Sequence, residues 1–303
     1  MDMSPNAGWL ALGKFPRLAA LAARARDLPA IRAAIVHPCD AASLAGAIEA
    51  RDLDMIEPIL VGPRRKIEAA AERAVDLVRA GAAQAIMKGA LHTDEVMGAI
   101  VRDHVGLKTE RRISHVFVID APLYPKLMLV SDAAVNISPD LLAKRDIVQN
   151  AIDLARAIGV EKPKVALLSA VETVTPKIPS TVEAAALCKM ADRGQITGGV
   201  LDGPLAFDNA ISRDAAAAKG IVSDIAGDAD VLITPDLEAG NILAKQLVFL
   251  AGAEDSGLVL GARCPVMLTS RADGPAARIA SVALAQLYVH WAEAQAAAKL
   301  AGE

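Results

Sequence analysis

The sequence is poor in aromatic residues and cysteine, and it has no long apolar run. Phe, Trp and Tyr make up 3% of the 303 residues, which argues against aromatic platforms for stacking nucleic-acid bases. The three cysteines, Cys39, Cys188 and Cys264, stand far apart without a CxxC pair. We therefore expect neither a zinc site nor a disulfide framework, and we expect a reducing, cytoplasmic setting. No apolar run reaches the roughly 18 residues of a membrane span, and no secretion signal is recognisable.

Four common enzyme signatures are also missing. The sequence contains no GxGxxG after a strand, no GxxxxGK[ST], no GxSxG and no HExxH. Its five histidines do not have the spacing of metal ligands. These absences exclude a Rossmann dinucleotide fingerprint, a P-loop, a hydrolase elbow and a zincin helix.

The composition is that of a globular protein with a sizeable core. Hydrophobic residues make up 53% and charged residues 22%, so disorder is not expected. With 32 basic and 36 acidic residues, the net charge of −4 offers no bulk attraction for nucleic acid. At about 150 residues per domain, the length favours two domains or one large one.

Short apolar runs alternate with longer amphipathic stretches, which predicts an α/β protein with a largely parallel sheet. The predicted strands cover 33–36, 58–61, 84–87, 113–119, 127–130, 164–168, 198–201, 230–233, 257–260 and 265–268. Two helices have a clear apolar face at three- and four-residue spacing. These faces consist of Leu141, Leu142, Ile147, Val148, Ala151, Ile152 and Ala155 in one helix, and of Ile279, Val282, Ala283 and Leu287 in the last.

One helix start has a recognisable local signal. Ser180 and Glu183 have the spacing of a capping box, with Ser180 as the N-cap, and Gly194 is placed to end that helix.

Five loop segments at strand ends combine Gly, Asp, Asn, Ser and Arg, and in open α/β sheets such ends bind ligands. They are 87–93, 131–136, 179–181, 235–241 and 268–274. Each also has a purely structural interpretation, such as an N-cap threonine at Thr93, an Asx turn after Ser131 or a surface salt bridge for Arg271. In the fourth segment, Asp236 is expected to start a helix that contains Gly240 and Asn241. A glycine there costs about 1 kcal/mol relative to alanine, which suggests close packing or ligand approach.

These segments give the chain a resemblance to the phosphate acetyl-/butyryltransferase family over nearly its whole length. The stretches that carry it are MKGALHTDEVM from Met87, GLKTERRISHVFV from Gly106, VSDAAVNISPDL from Val130, KIPSTVEAAALCKMADRGQITGG from Lys177, LDGPLAFDNAIS from Leu201, PDLEAGN from Pro235 and CPVMLTSRADG from Cys264. The chain is similar to the acyltransferase part of bacterial fusions that also carry an enoyl-CoA hydratase-like domain.

The resemblance implies a reaction and a fold. The reaction exchanges acyl-CoA and phosphate with acyl phosphate and CoA, by direct thiolate attack in a ternary complex without a further cofactor. The fold has two α/β domains with a cleft between them and is related to the isocitrate and isopropylmalate dehydrogenases. We expect residues 1–112 and 262–303 in one domain, residues 113–261 in the other, and a homodimer.

The resemblance also implies the site residues. The catalytic candidates from the resemblance are Ser270 and Arg271, matched to transition-state stabilisation and phosphate binding. The family's aspartate, the proposed thiol base, is replaced here by Ala277, so Asp273, the nearest carboxylate in the loop, is our substitute candidate for that base. The substrate-binding candidates are Lys88, Gly89, His92, Thr93, Arg112, Asp132, Asn136, Pro179, Ser180, Thr181, Asp236, Gly240 and Asn241. No metal ligand is expected.

Three departures from the family pattern leave alternatives open. Gly98 stands where many members have a phosphate-binding arginine, and Ala277 stands where acetyltransferases have an aspartate. The segment after Val61 is also short. A non-catalytic CoA- or acyl-phosphate-binding subunit is therefore a second hypothesis, and a metal-dependent decarboxylase using Asp132, Asp202 and Asp236 is a third. The acyl chain length stays open between acetyl, which we favour, and butyryl. The cysteines are expected in the core.

Overall fold

The computed structural model describes residues 7–62, 67–268 and 274–302, which form alternating strands and helices. The strands are β1 (Ile31–Val36), β2 (Ile56–Val61), β3 (Ala85–Lys88), β4 (Ser114–Asp120), β5 (Met128–Ser131), β6 (Lys164–Leu168), β7 (Val200–Leu205), β8 (Val231–Ile233), β9 (Glu254–Leu260) and β10 (Val266–Met267). The helices are α1 (Ala7–Leu12), α2 (Pro16–Arg26), α3 (Ala41–Asp52), α4 (Ile67–Arg79), α5 (Thr93–Ile100), α6 (Leu141–Ala157), α7 (Pro179–Asp192), α8 (Phe207–Ile211), α9 (Arg213–Ala218), α10 (Leu237–Ala251) and α11 (Pro275–Gly302).

Each strand predicted from an apolar run is confirmed, and the ends shift by a few residues. The largest difference is β7, which is predicted to end at Leu201 but continues through Pro204 to Leu205. Strand β7 stands last in the strand order, and an edge strand tolerates a proline because one side of its backbone needs no partner.

The chain divides into two compact units. Unit 1 comprises Met1–Arg111 and Ser256–Glu303, and unit 2 comprises Arg112–Asp255. In unit 1 the strand order is β2-β1-β3-β10-β9. The pairs β1/β2, β1/β3 and β3/β10 are parallel, and β9 runs antiparallel to β10.

Helix α11 is the main packing element of unit 1. Its predicted apolar face, Ile279, Val282, Ala283 and Leu287, is fully buried, and the helix packs against α1, α2 and α3. The buried Gln286 donates from Nε2 to the carbonyls of Leu28 and Pro29 at 3.1 and 2.9 Å, which ties the helix to the connection before β1. Among the described helices, none combines the length and apolarity that crossing a membrane requires.

In unit 2 the strand order is β4-β5-β8-β6-β7. Strands β5, β8, β6 and β7 are parallel to their neighbours, and β4 runs antiparallel to β5. A buried apolar cluster that includes Val130, Ala166 and Leu232 forms the core on one face of these strands.

Helix α6 buries the face that its apolar spacing predicts, except in its first turn. Ile147, Val148, Ala151, Ile152 and Ala155 are buried as expected. The prediction was wrong at the first turn, where Leu141 is half-buried and Leu142 is 58% exposed. Lys144 takes the buried position there because its ammonium group pairs with Glu183 of α7.

A charged network holds the amino ends of the parallel strands in unit 2. Asp228 accepts from Lys164 Nζ at 2.7 Å and lies 2.9 Å from Lys126 Nζ. Asp230 lies 2.7 Å from the same Lys126 ammonium and accepts from the backbone N–H of Lys164. Burial alone raises the pKa of Asp228, but the hydrogen bonds from Lys164 and Lys126 outweigh it and lower the pKa to about 2.

We expect Asp228→Asn to destabilise the protein at pH 7 by about 1 kcal/mol, after allowing for the solvent that reaches the group. The folded-state pKa is depressed below the ordinary value of 3.8, so the stabilisation is present above about pH 4 and is lost as the pH falls towards 2. Urea denaturation should therefore show a difference in the free energy of unfolding between the wild type and Asp228→Asn, and this difference should disappear as the pH falls from about 4 towards 2. Asp192→Asn removes the exposed partner of Lys189 and serves as the control, with a smaller change expected. A difference in unfolding free energy that does not change with pH would show that the Asp228 carboxylate is not the source of the stabilisation.

The cysteines occupy three different environments. Cys264 is buried, Cys188 is half-buried and Cys39 is exposed, so the expectation of three core cysteines was wrong for Cys39. Burial raises the pKa of the Cys188 and Cys264 thiols to about 12. The Cys39 sulfur lies 3.5 Å from Nδ1 of His37, at the end of β1.

We expect a disulfide reagent to modify Cys39 in the folded protein and to spare Cys188 and Cys264, because the thiolate is the reactive form. Titration should give about one thiol in native buffer and all three in denaturant, and Cys39→Ser should remove the native signal. A native signal that persists in Cys39→Ser would contradict this. Cys264→Ala should leave any catalytic activity intact.

Candidate functional site

Three of the predicted segments meet at one edge of unit 2. Residues 131–136 follow β5, residues 179–181 open α7 after β6, and residues 235–241 follow β8. Because β5, β6 and β8 run parallel, their carboxyl ends lie along the same edge of the sheet. This is the edge at which open α/β sheets bind ligands.

The buried carboxylate of Asp132 organises the first of these segments. Its Oδ1 accepts from the backbone N–H groups of Ala134 at 3.0 Å and Val135 at 3.2 Å, and Oδ2 accepts from that of Asn136 at 3.0 Å. The backbone N–H of His115 on β4 donates to Oδ1 at 3.3 Å. With the side chain 3% exposed, Asp132 holds the turn together through these contacts.

Asn136 connects the Asp132 turn to Arg112 through hydrogen bonds. Its Nδ2 donates to Asp132 Oδ2 at 2.5 Å and to the carbonyl of Ile113 at 2.8 Å. Its Oδ1 accepts from Arg112 Nε at 2.6 Å. Because Nε is engaged and the residue is exposed, the guanidinium is oriented at the surface, where a planar cation suits an anionic ligand.

The third segment packs directly against the first. Asp236 is the N-cap of α10, as predicted, and its side chain accepts from the N–H of Ala239 at 2.8 Å. Gly240 lies inside the helix, where a Cβ would stand 2.6 Å from the carbonyl oxygen of Asp132 and 2.7 Å from Thr234 Oγ1. Asn241 Nδ2 donates to the carbonyl of Ala133 at 3.1 Å. A glycine is therefore required at position 240, despite its lower helix propensity, because the backbone packs too closely there for a side chain.

The predicted capping box at Ser180 is wrong. Helix α7 begins at Pro179, with Ile178 as the N-cap, because proline has no N–H to satisfy and its φ suits the first helical position. Ser180 Oγ instead lies 2.9 Å from Ser169 Oγ at the end of β6, and Glu183 pairs with Lys144. Gly194, with φ +72°, follows the helix end as expected.

Thr181, and not Ser180, makes the side-chain hydrogen bonds to the backbone at the start of α7. The side chain is fully buried, and its Oγ1 lies 2.8 Å from the carbonyl oxygens of both Thr175 and Ile178. The same oxygen accepts from the N–H of Thr175 at 2.9 Å. Thr181 thus fixes the loop that leads into α7 and leaves Ser180 half-buried beside the strand ends.

A small pocket, partly open to solvent, lies where the second and third of these segments approach each other. Its walls consist of Lys144, Leu167, Leu168, Ser180, Glu183, Ala184, Leu187, Ile233, Thr234 and Pro235. Thr234 links it to the first segment, because its Oγ1 lies 3.1 Å from the carbonyl oxygen of Asp132.

His115 is a buried imidazole beside the Asp132 turn. Burial lowers its pKa to about 4, although the Asp132 carboxylate acts in the opposite direction. Within the described residues its Nδ1 has no hydrogen-bond partner, and the ring packs edge-on against Phe117 at 4.2 Å. The ring is therefore neutral at pH 7.

In unit 1, Lys88 and Gly89 stand at the carboxyl end of β3. A Cβ on Gly89 would lie 2.4 Å from the carbonyl oxygen of Val36, so glycine is needed for the neighbouring strand to approach. The Gly89 N–H donates to that oxygen at 2.9 Å. Lys88 is 5% exposed, and its Nζ lies 3.2 Å from the carbonyl of Leu91. This buried ammonium supplies positive charge to the loop before α5.

Helix α5 starts one residue earlier than a Thr93 cap predicts. His92 is the N-cap and Thr93 is the first helical residue, because Glu95 reaches back to accept from the His92 N–H at 2.8 Å. Both His92 and Thr93 are exposed at the helix N-terminus.

The predicted catalytic residues Ser270, Arg271 and Asp273 lie outside the described residues. The strand before them, β10, pairs in parallel with β3, with Met267 opposite Met87. Two of the three departures from the family pattern are substitutions: Gly98 is exposed on α5 with open space around its Cβ position, whereas Ala277 is buried in α11.

The aspartates considered for a metal site have separate structural partners. Asp132 accepts from the turn and Asp236 caps α10, while Asp202 accepts from the N–H of Gly203 at 2.8 Å. Within residues 7–62, 67–268 and 274–302, no group of three or more His, Cys, Asp or Glu residues is arranged to hold a metal ion.

Sequence reasoning missed Thr234 and the pair of Lys144 and Glu183. Thr234 carried no recognisable signal, because it precedes Pro235 at the end of a short strand. Lys144 did carry one, since it lies three and four residues before Ile147 and Val148, on the buried face of α6.

We expect Gly240→Ala to destabilise the protein by about 1–3 kcal/mol, because the added Cβ overlaps two oxygen atoms of fixed groups. Gly98→Ala is the matched control, since it changes another helical glycine and gains up to about 1 kcal/mol of helix propensity. Urea denaturation of both variants measures the difference. Equal effects of the two substitutions would show that the packing against Asp132 is not tight.

Comparison with known proteins confirms the resemblance found in the sequence. A family model described as phosphate acetyl/butaryl transferase matches residues 46–286. The chain is 57% identical over 297 residues to the phosphate acetyltransferase of Rhizobium meliloti, covering 91% of this chain and 93% of that protein. It is 44% identical over 221 residues to the phosphate butyryltransferase of Clostridium acetobutylicum, covering 73% of each.

A solved structure agrees with the fold. The branched-chain phosphotransacylase from Enterococcus faecalis V583 aligns with a TM-score of 0.76 and 30% identity, covering 86% of this chain and 99% of that one. With its mixed α/β fold and its family match over most of its length, the chain belongs to the phosphate acetyl/butyryltransferase family.

Proposed function

We propose that this chain is a phosphate acetyltransferase, which interconverts acetyl-CoA and phosphate with acetyl phosphate and CoA. The observation that carries the proposal is the 57% identity to a phosphate acetyltransferase over 91% of the chain. A phosphate butyryltransferase is the alternative. The acetyl group is placed first because the butyryltransferase relative has a lower identity, 44%, over a smaller share of the chain, 73%.

The reaction requires no cofactor beyond its substrates, CoA and phosphate. A phosphate oxygen attacks the thioester carbonyl, the C–S bond breaks, and CoA leaves as a thiolate that then takes a proton. In reverse, the thiolate attacks the acyl phosphate carbonyl in a ternary complex and phosphate leaves. The protein must stabilise the oxyanion on the attacked carbon and bind a phosphate whose charge changes.

Ser270 and Arg271 are the residues we assign to that task, and Asp273 is the candidate base for the thiol. An arginine binds phosphate through two parallel hydrogen bonds, which fixes its orientation. Since Gly98 replaces the family arginine, a second cation must contribute to phosphate binding. Lys88, Arg111 and Arg112 are the candidates; of these, Lys88 is buried and Arg112 is oriented by Asn136.

The other assigned residues bind substrate at the strand ends or build the surfaces that do. His92 and Thr93 present the N-terminus of α5, which favours an anion. Asp132, Asn136, Gly240 and Asn241 maintain the loops of unit 2 through the contacts described above, and Pro179, Ser180, Thr181 and Asp236 shape the adjoining helix starts.

The proposal includes the wider setting that the family resemblance implies. The two units would be the two domains of an isocitrate/isopropylmalate dehydrogenase-like enzyme. The enzyme would act as a homodimer in the cytoplasm, without binding nucleic acid or a membrane. Size measurement in solution tests the dimer directly.

The proposed reaction is tested by release of CoA thiol from acetyl-, propionyl- and butyryl-CoA, with and without inorganic phosphate. We expect phosphate-dependent release that is fastest for acetyl-CoA. Faster release from butyryl-CoA would favour the butyryltransferase alternative. If folded protein binds CoA in calorimetry but releases no thiol from any acyl-CoA, the chain is a binding subunit instead.

We expect Arg271→Ala to lower kcat/KM by about 100-fold or more, because it removes a charge-assisted contact to the reacting phosphate. Arg193→Ala is the control, since Arg193 is an exposed arginine at the end of α7. Steady-state kinetics with acetyl-CoA and phosphate compare the two. Near-normal turnover of Arg271→Ala would remove this residue from the site.

A further inference from the structure

The first turn of helix α11 contains a buried arginine that the proposed reaction does not yet use. Arg278 is 9% exposed and stands five residues after Asp273, the last of the candidate catalytic residues in the sequence. It lies one helical turn after Pro275, where α11 begins. Because side chains on an α-helix lean towards its N-terminus, the Arg278 side chain leans towards the end of α11 that follows the candidate catalytic residues.

Helix α3 leaves room for this side chain. A Cβ on the buried Gly46 would lie 3.2 Å from Cδ of Arg278 and 3.8 Å from its Cβ, so the stem of the arginine lies along α3. Burial raises the pKa of Asp40, the N-cap of α3, but hydrogen bonds from Ser43 and Ala42 and the charge of Arg278 outweigh it and lower the pKa. The Arg278 charge therefore acts at the start of α3, which follows the carboxyl end of β1.

Arg278 forms no ion pair with a carboxylate in the part of the chain that the structure describes. Asp40, on which its charge acts, already accepts from the backbone N–H of Ser43 at 2.7 Å. A guanidinium removed from water is costly unless an anion or several hydrogen-bond acceptors replace its hydration. A bound anion would compensate this charge, and the N-terminus of α11 favours an anion as well.

The same edge of unit 1 carries a second buried cation. Strands β1, β3 and β10 lie side by side and run parallel, so their carboxyl ends meet at one edge of the sheet. Lys88 is 5% exposed and ends β3, the strand between the other two. Because Met87 pairs with Met267, Lys88 stands at the level where β10 ends and the candidate catalytic segment begins. Cations at the beginning of this segment and after its end suit a multiply charged anion such as phosphate.

We propose that Arg278 is a phosphate-binding residue, which holds the reacting phosphate and supplies a positive charge that is missing at Gly98. The proposal rests on the phosphate acetyltransferase function above and deepens it by naming a further residue for the anionic substrate. A planar guanidinium binds phosphate through two parallel hydrogen bonds, whereas a lysine offers a point charge. The other phosphate source in this reaction is the diphosphate of CoA, and the experiment distinguishes the two.

The experiment measures the KM for phosphate and the KM for acetyl-CoA in phosphate-dependent thiol release. Arg278→Gln should raise the KM for phosphate by about 10-fold or more, because it removes charge-assisted hydrogen bonds, and should leave the KM for acetyl-CoA unchanged. Arg278→Lys keeps the charge without the paired hydrogen bonds and should raise the KM for phosphate by less. An increase in the KM for acetyl-CoA alone would place Arg278 at the CoA diphosphate and overturn the proposal.

Two control variants separate phosphate binding from a structural role. Arg263→Gln removes an exposed arginine in the connection before β10, at the opposite end of that strand, and should leave both KM values unchanged. Asp40→Asn removes the carboxylate on which the Arg278 charge acts but keeps an N-cap for α3. If Arg278 served only to balance Asp40, then Asp40→Asn and Arg278→Gln would raise the KM for phosphate alike, and the proposal would fail.

Thermal unfolding with inorganic phosphate gives a second measurement that does not need turnover. A ligand that binds the folded state raises the Tm, so phosphate should stabilise the wild type and Arg263→Gln more than either Arg278 variant. Sodium chloride at equal ionic strength is the reference for general salt effects. Equal phosphate-induced shifts in the wild type and in the folded Arg278 variants would overturn the proposal, even if Arg278→Gln itself does not fold.

Two further results separate this proposal from the proposed function. If the wild type shows phosphate-dependent release but Arg278→Gln changes the KM for phosphate no more than Arg263→Gln does, the inference fails alone. If the folded wild type releases no thiol from any acyl-CoA, the proposed function fails. Arg278 then counts as a phosphate-binding residue only if its substitution removes the phosphate-induced shift in Tm.

Discussion

One buried carboxylate organises the candidate site of unit 2. Asp132 accepts four backbone N–H groups, three from its own turn and one from β4, and a side-chain N–H from Asn136. A carboxylate removed from water is stable only when such donors replace its hydration. Because these donors belong to two chain segments, the same group that fixes the turn also fixes its position against the neighbouring strand.

The other parts of the site depend on this turn. Arg112 is oriented through Asn136, and α10 approaches closely enough for Gly240 to contact the Asp132 carbonyl. Thr234 then connects the turn to the pocket beside α7. Charge placement, helix packing and pocket shape are therefore linked by short contacts, and a change in the turn is expected to alter all three.

Much of the fold could be predicted from local pattern. Apolar runs of four to seven residues located the strands, and the spacing of Ile279, Val282, Ala283 and Leu287 identified the buried face of α11. The N-cap at Asp236 could also be predicted, because an Asx cap depends only on a hydrogen bond to the backbone three residues further along the chain. Such features involve neighbours in sequence, so local chemistry specifies them.

Two of the errors came where distant residues compete with a local rule. Ser180 and Glu183 have the spacing of a capping box, but Ser169 and Lys144 bind them instead. Leu142 fits the apolar period of α6 yet is exposed, whereas Lys144 is buried because Glu183 is available on α7. Each outcome depends on a partner 11 to 39 residues away in sequence, which no local pattern identifies.

The sequence by itself determined the α/β class, the strand positions, the family resemblance and the segments that carry chemistry. The tertiary structure decided which of those segments meet in unit 2, that the Asp132 carboxylate serves the turn, and that Ser180 lies against Ser169 instead of capping α7. The physical reason is that composition and hydrophobic periodicity report interactions within a single helical turn or strand. Hydrogen bonds to a buried charge and the shape of a cavity instead depend on groups that only folding brings together.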